Sequence, residues 1–166
     1  MTSNVQRTGL RWLPLGLLLI VADQITKYYA VKHLTYGVPV PVLEPVLNWT
    51  LVHNMGGAFS FLRESGGWQH WFFVCVALGA GIAIPIWLSR LAARQTWLCL
   101  ALAMIWSGAV GNLIDRLRFR YVIDFVQVHL YDSWYYPVFN VADSAITVGA
   151  ICLVVYEVFL AKREPK

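Results

Sequence analysis

Residues 68–88 read WQHWFFVCVALGAGIAIPIWL, a run of 21 positions without one charged side chain. A helix needs about 20 apolar residues to cross the hydrocarbon core of a bilayer, so this run has the length and composition of a membrane span. Trp68, Trp71 and Trp87 lie near its ends, where interfacial aromatic residues are typical. The stretch therefore predicts a membrane-spanning helix.

Three further stretches have the same character, at about 12–31, 96–114 and 143–161. The chain as a whole is 58% hydrophobic and only 13% charged, against about 25% charged for an average soluble domain. A water-soluble fold of this length cannot hide so much apolar surface. We therefore predict an all-α membrane protein, a bundle of four transmembrane helices that forms one membrane-embedded domain over residues 1–166.

Small residues indicate where these helices approach one another closely. Ala77/Gly81 and Gly79/Ala83 in the second span, and Ser107/Gly111 in the third, have small-xxx-small spacing. Ordinary helix packing is a sufficient explanation for all three pairs.

Basic residues in the flanks predict the orientation of the bundle. One side of a four-span arrangement carries most of them in short segments, and the other side carries fewer in the long loops 32–67 and 115–142. By the positive-inside rule both termini are cytoplasmic and both long loops are extracytoplasmic. The basic residues of the first side are Arg7, Arg11, Arg90, Arg94, Lys162, Arg163 and Lys166, and those of the second are Lys32, Arg63, Arg116, Arg118 and Arg120.

The two long loops differ in composition. In loop 32–67, alternating valines and prolines at 38–42 and a second apolar run at 47–52 predict short extended strands. Loop 115–142 is rich in aromatic residues, including Trp134, Tyr135 and Tyr136, and is expected to lie on the membrane surface.

The formal net charge of +4 is spread along the chain without a basic run, which argues against a nucleic-acid partner and favours contact with membrane lipids. Three cysteines, Cys75, Cys99 and Cys152, lie in apolar stretches and are interpreted as buried free thiols. The histidines His33, His53, His70 and His129 show no metal-ligand spacing. No metal or other cofactor is predicted.

Ionisable residues within a span are costly unless they are paired or face water, so they are functional candidates by default. Asp23 and Lys27 are one helical turn apart and can form an ion pair at the outer end of the first helix. Asn112, Asp115 and Arg116 share one face at the end of the third span. The alternatives are a neutralising ion pair in the first case and the polar terminus of a helix in the second.

Two acids near the outer membrane boundary carry the most specific chemistry. Asp124 lies inside an apolar run, and Asp143 lies where the fourth span begins. Taken alone, Asp143 is explained as a helix N-cap. Taken together, two neighbouring carboxylates share one proton, and such a pair can activate water with one member and hydrogen-bond a scissile carbonyl with the other, as in aspartic proteases.

Over nearly its whole length the chain resembles the bacterial lipoprotein signal peptidases, also called type II signal peptidases. The matching blocks are DQITK at 23–27, NMGGAFSF at 54–61, GNLIDR at 111–116, VIDF at 122–125 and FNVADS at 139–144. Gly57 stands where the family usually has Ala, and Ser107 where Gly is usual. Both changes keep a small residue, so the resemblance holds.

This resemblance implies an aspartyl endopeptidase of the bacterial inner membrane with its active site on the periplasmic side. Its expected substrates are diacylglyceryl-modified prolipoproteins, cut just before the lipid-modified cysteine, and a monomer is expected. The outer loops would form a small extracytoplasmic strand cradle and a surface segment around the substrate's lipid. By the match, Asp124 and Asp143 are catalytic, and the residues that line or brace the site are Asp23, Lys27, Asn54, Gly56, Asn112, Arg116 and Asn140.

Two other classes of protein are consistent with intramembrane acids. A small proton-coupled or ion-coupled transporter or channel subunit uses them as a relay, but a relay needs polar steps at several depths. The inner half of this bundle has only Glu157. In a non-catalytic assembly factor, the carboxylates would only cap helices.

Overall fold

The computed structural model describes residues 8–56, 68–131 and 133–160. Predictions that concern Gly57, the rest of the matching block up to residue 61, and the basic residues Arg7, Arg63, Lys162, Arg163 and Lys166 lie outside these residues.

The described residues form four long apolar helical segments and a small sheet, and each segment, taken with the short turn that adjoins it where there is one, is long enough to cross a membrane. Their bounds are α1 Leu13–His33, α2 Trp68–Arg90, α3 Thr96–Phe119 and α4 Val141–Val155. A 3-10 turn at Gly9–Trp12 precedes α1, and a π-helical turn at Tyr156–Leu160 extends α4. The four predicted spans are confirmed, although α3 continues five residues beyond the predicted end at 114 and α4 begins two residues before 143.

Helix α3 is the centre of the bundle. About 56% of the most apolar stretch of α3 is buried inside the protein. The corresponding share is 17–22% for the other three helices, whose outward faces are available to lipid. Near the α2–α3 turn, Leu88, Cys99 and Leu102 pack with Tyr156 in a tight apolar cluster. Because α3 contacts every other helix, polar residues on it can meet partners from all of them.

The small residues of α3 and α4 bring these two helices into close contact. A side chain at Gly149 would come within 2.8 Å of the Ala101 carbonyl oxygen, and one at Gly108 would collide with the Ala142 carbonyl. A Cβ at Gly111 would come within 3.3 Å of that of Ala142. The predicted close packing at Gly111 is therefore confirmed.

The two predicted pairs in α2 differ from each other. Ala77 is buried, and Gly81 lies close to Val110 of α3. Gly79 has open space around it among the described residues, and Ala83 is exposed. The prediction of a packing interface was wrong for Gly79/Ala83, because that face of α2 points away from the protein.

A four-stranded antiparallel sheet in the order β1-β2-β3-β4 lies at the other end of the bundle from the α2–α3 turn. The strands are β1 Val40–Leu43, β2 Leu47–Asn54, β3 Val122–Leu130 and β4 Trp134–Tyr135. The strands predicted near 38–42 and 47–52 are confirmed with shifted ends. The second outer segment was predicted as a surface loop, but much of it is strand, because residues 122–126 pair with β2 and are largely buried.

The cysteine prediction was only partly correct. All three thiols are free, but only Cys99 is buried, while Cys152 is half-buried and Cys75 is exposed. Cys75 lies on the outward face of α2, where lipid rather than protein covers apolar side chains.

Candidate active site

Asp124 lies on β3, an interior strand of the sheet. Its backbone is paired opposite Val52 of β2, and the preceding residues Val122 and Ile123 are buried. The side chain of Asp124 is only 1% exposed. This explains the apolar run around the acid: the strand is covered by protein, and the carboxyl group points into a polar cluster between sheet and helices.

Asp143 lies in the first turn of α4. The helix begins with a capping box in which Asn140 is the N-cap: the Asp143 backbone N–H donates to Asn140 Oδ1 at 2.8 Å, and the Asn140 N–H donates to Asp143 Oδ2 at 3.2 Å. The alternative that Asp143 is the N-cap was therefore wrong by three residues. Its half-buried carboxylate sits at the positive end of the α4 dipole, which favours a negative charge.

Asn140 connects the two acids. Its side-chain amide donates to Asp124 Oδ1 at 2.7 Å, while its backbone N–H holds Asp143. Asn112 of α3 donates to Asp143 Oδ1 at 2.7 Å, and its own Oδ1 accepts from Asn140 Nδ2 at 3.1 Å. The structure therefore brings these four predicted residues into one hydrogen-bonded cluster.

Asn54, at the end of β2, supplies the second donor to Asp124. Its Nδ2 donates to Asp124 Oδ2 at 3.0 Å, and its Oδ1 accepts from the Gly56 N–H at 3.0 Å, which fixes the orientation of the amide. Gly56 has φ +143°, and a Cβ there would lie 3.1 Å from the Phe73 ring. A glycine is needed at this position for both reasons.

Asp23 and Lys27 form the predicted ion pair, with 2.8 Å between Lys27 Nζ and Asp23 Oδ2. The pair is not at the outer end of the helix, since Asp23 lies in the middle of α1. The same ammonium contacts Asp115 Oδ2 at 2.8 Å and donates to Asn112 Oδ1 at 2.9 Å. Asp115 is thus a buried ion-pair partner, and its interpretation as a plain polar helix end was wrong.

Arg116 lies beside this cluster. Its guanidinium stacks over the Phe73 ring at 5.1 Å, donates to the Asn112 carbonyl at 3.4 Å, and interacts electrostatically with Asp143 and Asp124. Arg116 is half-buried, whereas Lys27 is buried. This arrangement places positive charge near the acids without the short ion pairs that Lys27 makes.

Sequence reasoning gave no specific role to Asp115 and Gln24. Gln24 Nε2 donates to Asp23 Oδ2 at 3.2 Å and to Asp115 Oδ1 at 3.0 Å. The sequence did give one signal for Asp115, because a buried acid needs a partner of opposite charge. Its partner Lys27 lies on another helix, so the spacing of residues could not identify it.

The electrostatic environment separates Asp124 from an ordinary surface acid. Burial and, to a smaller extent, the charge of Asp143 together raise its pKa to about 7, while the donors Asn54 and Asn140 oppose the shift. A carboxyl group with such a pKa can hold a proton near neutral pH and release it during a reaction.

The histidines pack against aromatic rings. His53 lies between Tyr36 and Tyr121, with 4.0 Å between the centroids of His53 and Tyr121, and burial lowers its pKa. His33 stacks on Tyr29 and His129 on Tyr135. No group of potential metal ligands occurs in residues 8–56, 68–131 and 133–160, and the lack of a cofactor stays a prediction.

A family model described as signal peptidase (SPase) II matches residues 15–159. The chain belongs to the signal peptidase II family. The lipoprotein signal peptidase of Acinetobacter baumannii strain ATCC 17978 is 51% identical over 158 residues, which cover 95% of this chain and 89% of that one. The lipoprotein signal peptidase of Pseudomonas fluorescens strain Pf0-1 is 45% identical over 98% of this chain and 96% of its own.

A solved structure has the same fold. A bacterial membrane enzyme determined by the in meso method at 2.3 Å resolution superposes with a TM-score of 0.79 and 28% identity, over 94% of this chain and 93% of that one. The chain is therefore a membrane-embedded peptidase, and the predicted resemblance and fold class are confirmed. Membership of a peptidase family argues against the transporter and assembly-factor alternatives.

Proposed function

We propose that this signal peptidase II family member is an aspartyl endopeptidase that removes signal peptides from diacylglyceryl-modified prolipoproteins. Asp124 and Asp143 are its catalytic residues, and cleavage falls just before the lipid-modified cysteine. The observation that carries the proposal is Asn140, whose side chain and backbone hold one acid each within a single buried cluster.

The different surroundings of the two acids assign their roles. Asp143 accepts a backbone N–H at a helix N-terminus and is partly exposed, so it is the ionised member and reaches water. Asp124 is buried among neutral amides, and burial together with the charge of Asp143 raises its pKa to about 7, so it is the protonated member. The pair carries one negative charge in total.

In the reaction, Asp143 takes a proton from a water molecule whose oxygen attacks the scissile carbonyl carbon. Asp124 gives its proton to the carbonyl oxygen, which forms a neutral tetrahedral diol. The C–N bond then breaks, the leaving nitrogen takes the proton from Asp143, and a diol hydroxyl returns a proton to Asp124. The pair ends in its starting protonation state.

The placement of the pair suits a substrate that is anchored in lipid. Both acids lie where the sheet meets the helices, at the end of the bundle away from the α2–α3 turn. A diacylated substrate stays in the bilayer and presents its scissile bond near the headgroups. We propose that this end faces the periplasm, that both termini are cytoplasmic, and that the protein acts as a monomer in the inner membrane.

The test is cleavage by the purified protein of a diacylglyceryl-modified prolipoprotein and of its unlipidated form. Asp124→Asn and Asp143→Asn are each expected to lower the rate by on the order of 10²- to 10⁴-fold, because general acid–base catalysis contributes about that much. Glu157→Gln is the matched control, an exposed acid at the far end of the same helix, and should keep the wild-type rate.

Mass spectrometry of the product should show an N-terminal lipid-modified cysteine. Substantial activity in either aspartate variant would remove the pair as the catalytic residues. Equal rates on the lipidated and unlipidated substrates would remove the substrate assignment.

A further inference from the structure

A second pair of aspartates, Asp23 and Asp115, lies next to Asp124 and Asp143, and each of its members makes the same kind of contact. We call Asp23 and Asp115 the inner aspartates and Asp124 and Asp143 the outer aspartates. Asp115 Oδ2 accepts the backbone N–H of Ile123 at 3.1 Å, and Ile123 is the residue before Asp124. Asp23 Oδ1 accepts the backbone N–H of Ala142 at 2.9 Å, and Ala142 is the residue before Asp143. Each inner aspartate thus holds the peptide next to one outer aspartate.

Lys27 joins the two inner aspartates. Its ammonium lies 2.8 Å from Asp23 Oδ2 and 2.8 Å from Asp115 Oδ2, and its third hydrogen bond goes to Asn112 Oδ1 at 2.9 Å. All three donors of a lysine are therefore used. Because Asp23, Lys27 and Asp115 are each only 1% exposed, water does not compete for these contacts.

Neighbouring side chains lock the same arrangement. Gln24 Nε2 donates to both inner aspartates, at 3.2 Å to Asp23 and 3.0 Å to Asp115. The carbonyl of Ile123 accepts from Asn140 Nδ2 at 3.2 Å, so this residue is held on both sides. The inner cluster thereby connects α1 and α3 to the backbone of β3 and α4 at the two points that carry the reactive acids.

We propose that Asp23 and Asp115, joined by Lys27, are positioning residues that set the spacing between Asp124 and Asp143. The proposal rests on the proposed function, since it concerns the geometry of that pair. A buried ion cluster contributes little net stability compared with apolar packing, so we assign it the role of holding the backbone beside Asp124 and Asp143 in position. A misplacement of about 1 Å in a reacting group can lower a rate on the order of a hundredfold.

The spacing also controls the protonation of the pair. Asp124 is faced by Asp143 from α4, Lys27 from α1, Arg116 from α3 and the Asn54 amide from β2. Only Asp143 among these raises the pKa of Asp124, so a wider spacing weakens that effect. The alkaline limb of the pH–rate profile would then move to lower pH.

Two substitutions at Asp115 separate positioning from simple structural support. Asp115→Leu removes the acceptor for Ile123 but leaves Asp23 and Lys27 as a neutral pair, so no unpaired charge is buried. Asp115→Asn has a similar shape and keeps one oxygen that can accept from Ile123. Rates are measured per folded molecule, on the monodisperse fraction, with the diacylglyceryl-modified prolipoprotein as substrate.

Asp115→Leu is expected to lower kcat on the order of a hundredfold with little change in KM, and to shift the alkaline limb to lower pH. Asp115→Asn is expected to keep most of the wild-type kcat and the wild-type alkaline limb. If Asp115→Leu yields no folded protein, Asp115→Ala removes the same acceptor with less bulk and carries the same expectation.

A leucine or alanine variant with wild-type kcat and pH profile per folded molecule would overturn the proposal. It would also be overturned if Asp115→Asn lost as much kcat as Asp115→Leu. Asp124→Asn and Asp143→Asn are assayed in parallel: activity in either one defeats the proposed function itself, whereas inactive aspartate variants beside a fully active Asp115→Leu defeat only the positioning role.

Discussion

The carboxylates of Asp124 and Asp143 each accept two hydrogen bonds, but from different kinds of donor. Asp124 receives only side-chain amides, from Asn54 and Asn140, and is buried. Asp143 receives the Asn112 amide and a backbone N–H at the start of α4. The charge of Asp143 raises the pKa of Asp124, so the proposed roles give the shared proton to Asp124.

At the scale of the residue, the rate of cleavage should fall as the pH rises through about 7, because burial and the charge of Asp143 raise the pKa of Asp124 to about 7. Above that pH both acids are ionised and no proton is available for the carbonyl oxygen. The measurement is kcat/KM for the lipidated substrate across pH 5 to 9. A rate that keeps rising to pH 9 would contradict the assignment of the proton to Asp124.

Asn54→Ala tests the same assignment, because the structure predicts the direction in which the pH–rate profile should shift. Asn54 stabilises the charged form of Asp124, so its removal raises the pKa of Asp124 and moves the alkaline limb to higher pH. A limb that stays in place, or moves to lower pH, would show that Asn54 does not act on this carboxyl group.

At the scale of the element, contact between α3 and α4 depends on positions without a side chain. Gly108 and Gly149 let the two backbones approach, and this contact places Ala142 and Asp143 against Asn112. In a membrane, where lipid is as apolar as the side chains, close backbone packing replaces the hydrophobic effect as the main attraction between helices. The site therefore depends on glycines up to two turns away from it.

Gly149→Ala is expected to destabilise the protein by about 1–3 kcal/mol, because its methyl group would lie 2.8 Å from the Ala101 carbonyl and 2.9 Å from Ile105. Gly79→Ala is the matched control, with open space around it among the described residues, and should be neutral or stabilising by up to about 1 kcal/mol. Thermal unfolding in detergent compares the two. Equal midpoints would contradict the packing argument.

At the scale of the whole molecule, the two ends of the bundle are built differently. At one end the N-terminal segment is tied to the α2–α3 turn, since the Gly9 N–H donates to the Leu91 carbonyl at 2.9 Å. The other end carries the sheet, Asp124 and Asp143. The turn at Gly9–Trp12 and the α2–α3 turn therefore lie at the same end of the bundle, which is consistent with the predicted orientation.

Labelling of single cysteines tests the orientation in a variant that lacks the native thiols. Val38→Cys, exposed beside the sheet, should react with a membrane-impermeant maleimide in intact spheroplasts. Thr96→Cys, exposed at the start of α3, should react only after lysis. The reverse pattern would overturn the proposed topology.

Local sequence was sufficient to predict the four apolar helices and the strands between α1 and α2, and it singled out Asp124 and Asp143 as candidates. These follow from local properties: the apolar length needed to cross a bilayer, the alternation of valine with proline, and the high cost of an ionisable group in lipid. The blocks around Asp124 and Asp143 were sufficient to recognise the family, because each block is contiguous in the chain.

The identity of the polar groups that meet follows from the packing of the helices and the sheet. Lys27 of α1 contacts Asp115 of α3, and Asp23 holds the backbone of Ala142 across 119 positions of sequence. Such contacts depend on how deeply each helix sits and how it is rotated, and both are set by packing at Gly108, Gly111 and Gly149. Spacing along one helix predicts its own faces but not the partner that another helix brings to them, so Asp115 and the N-cap role of Asn140 became visible only in the folded chain.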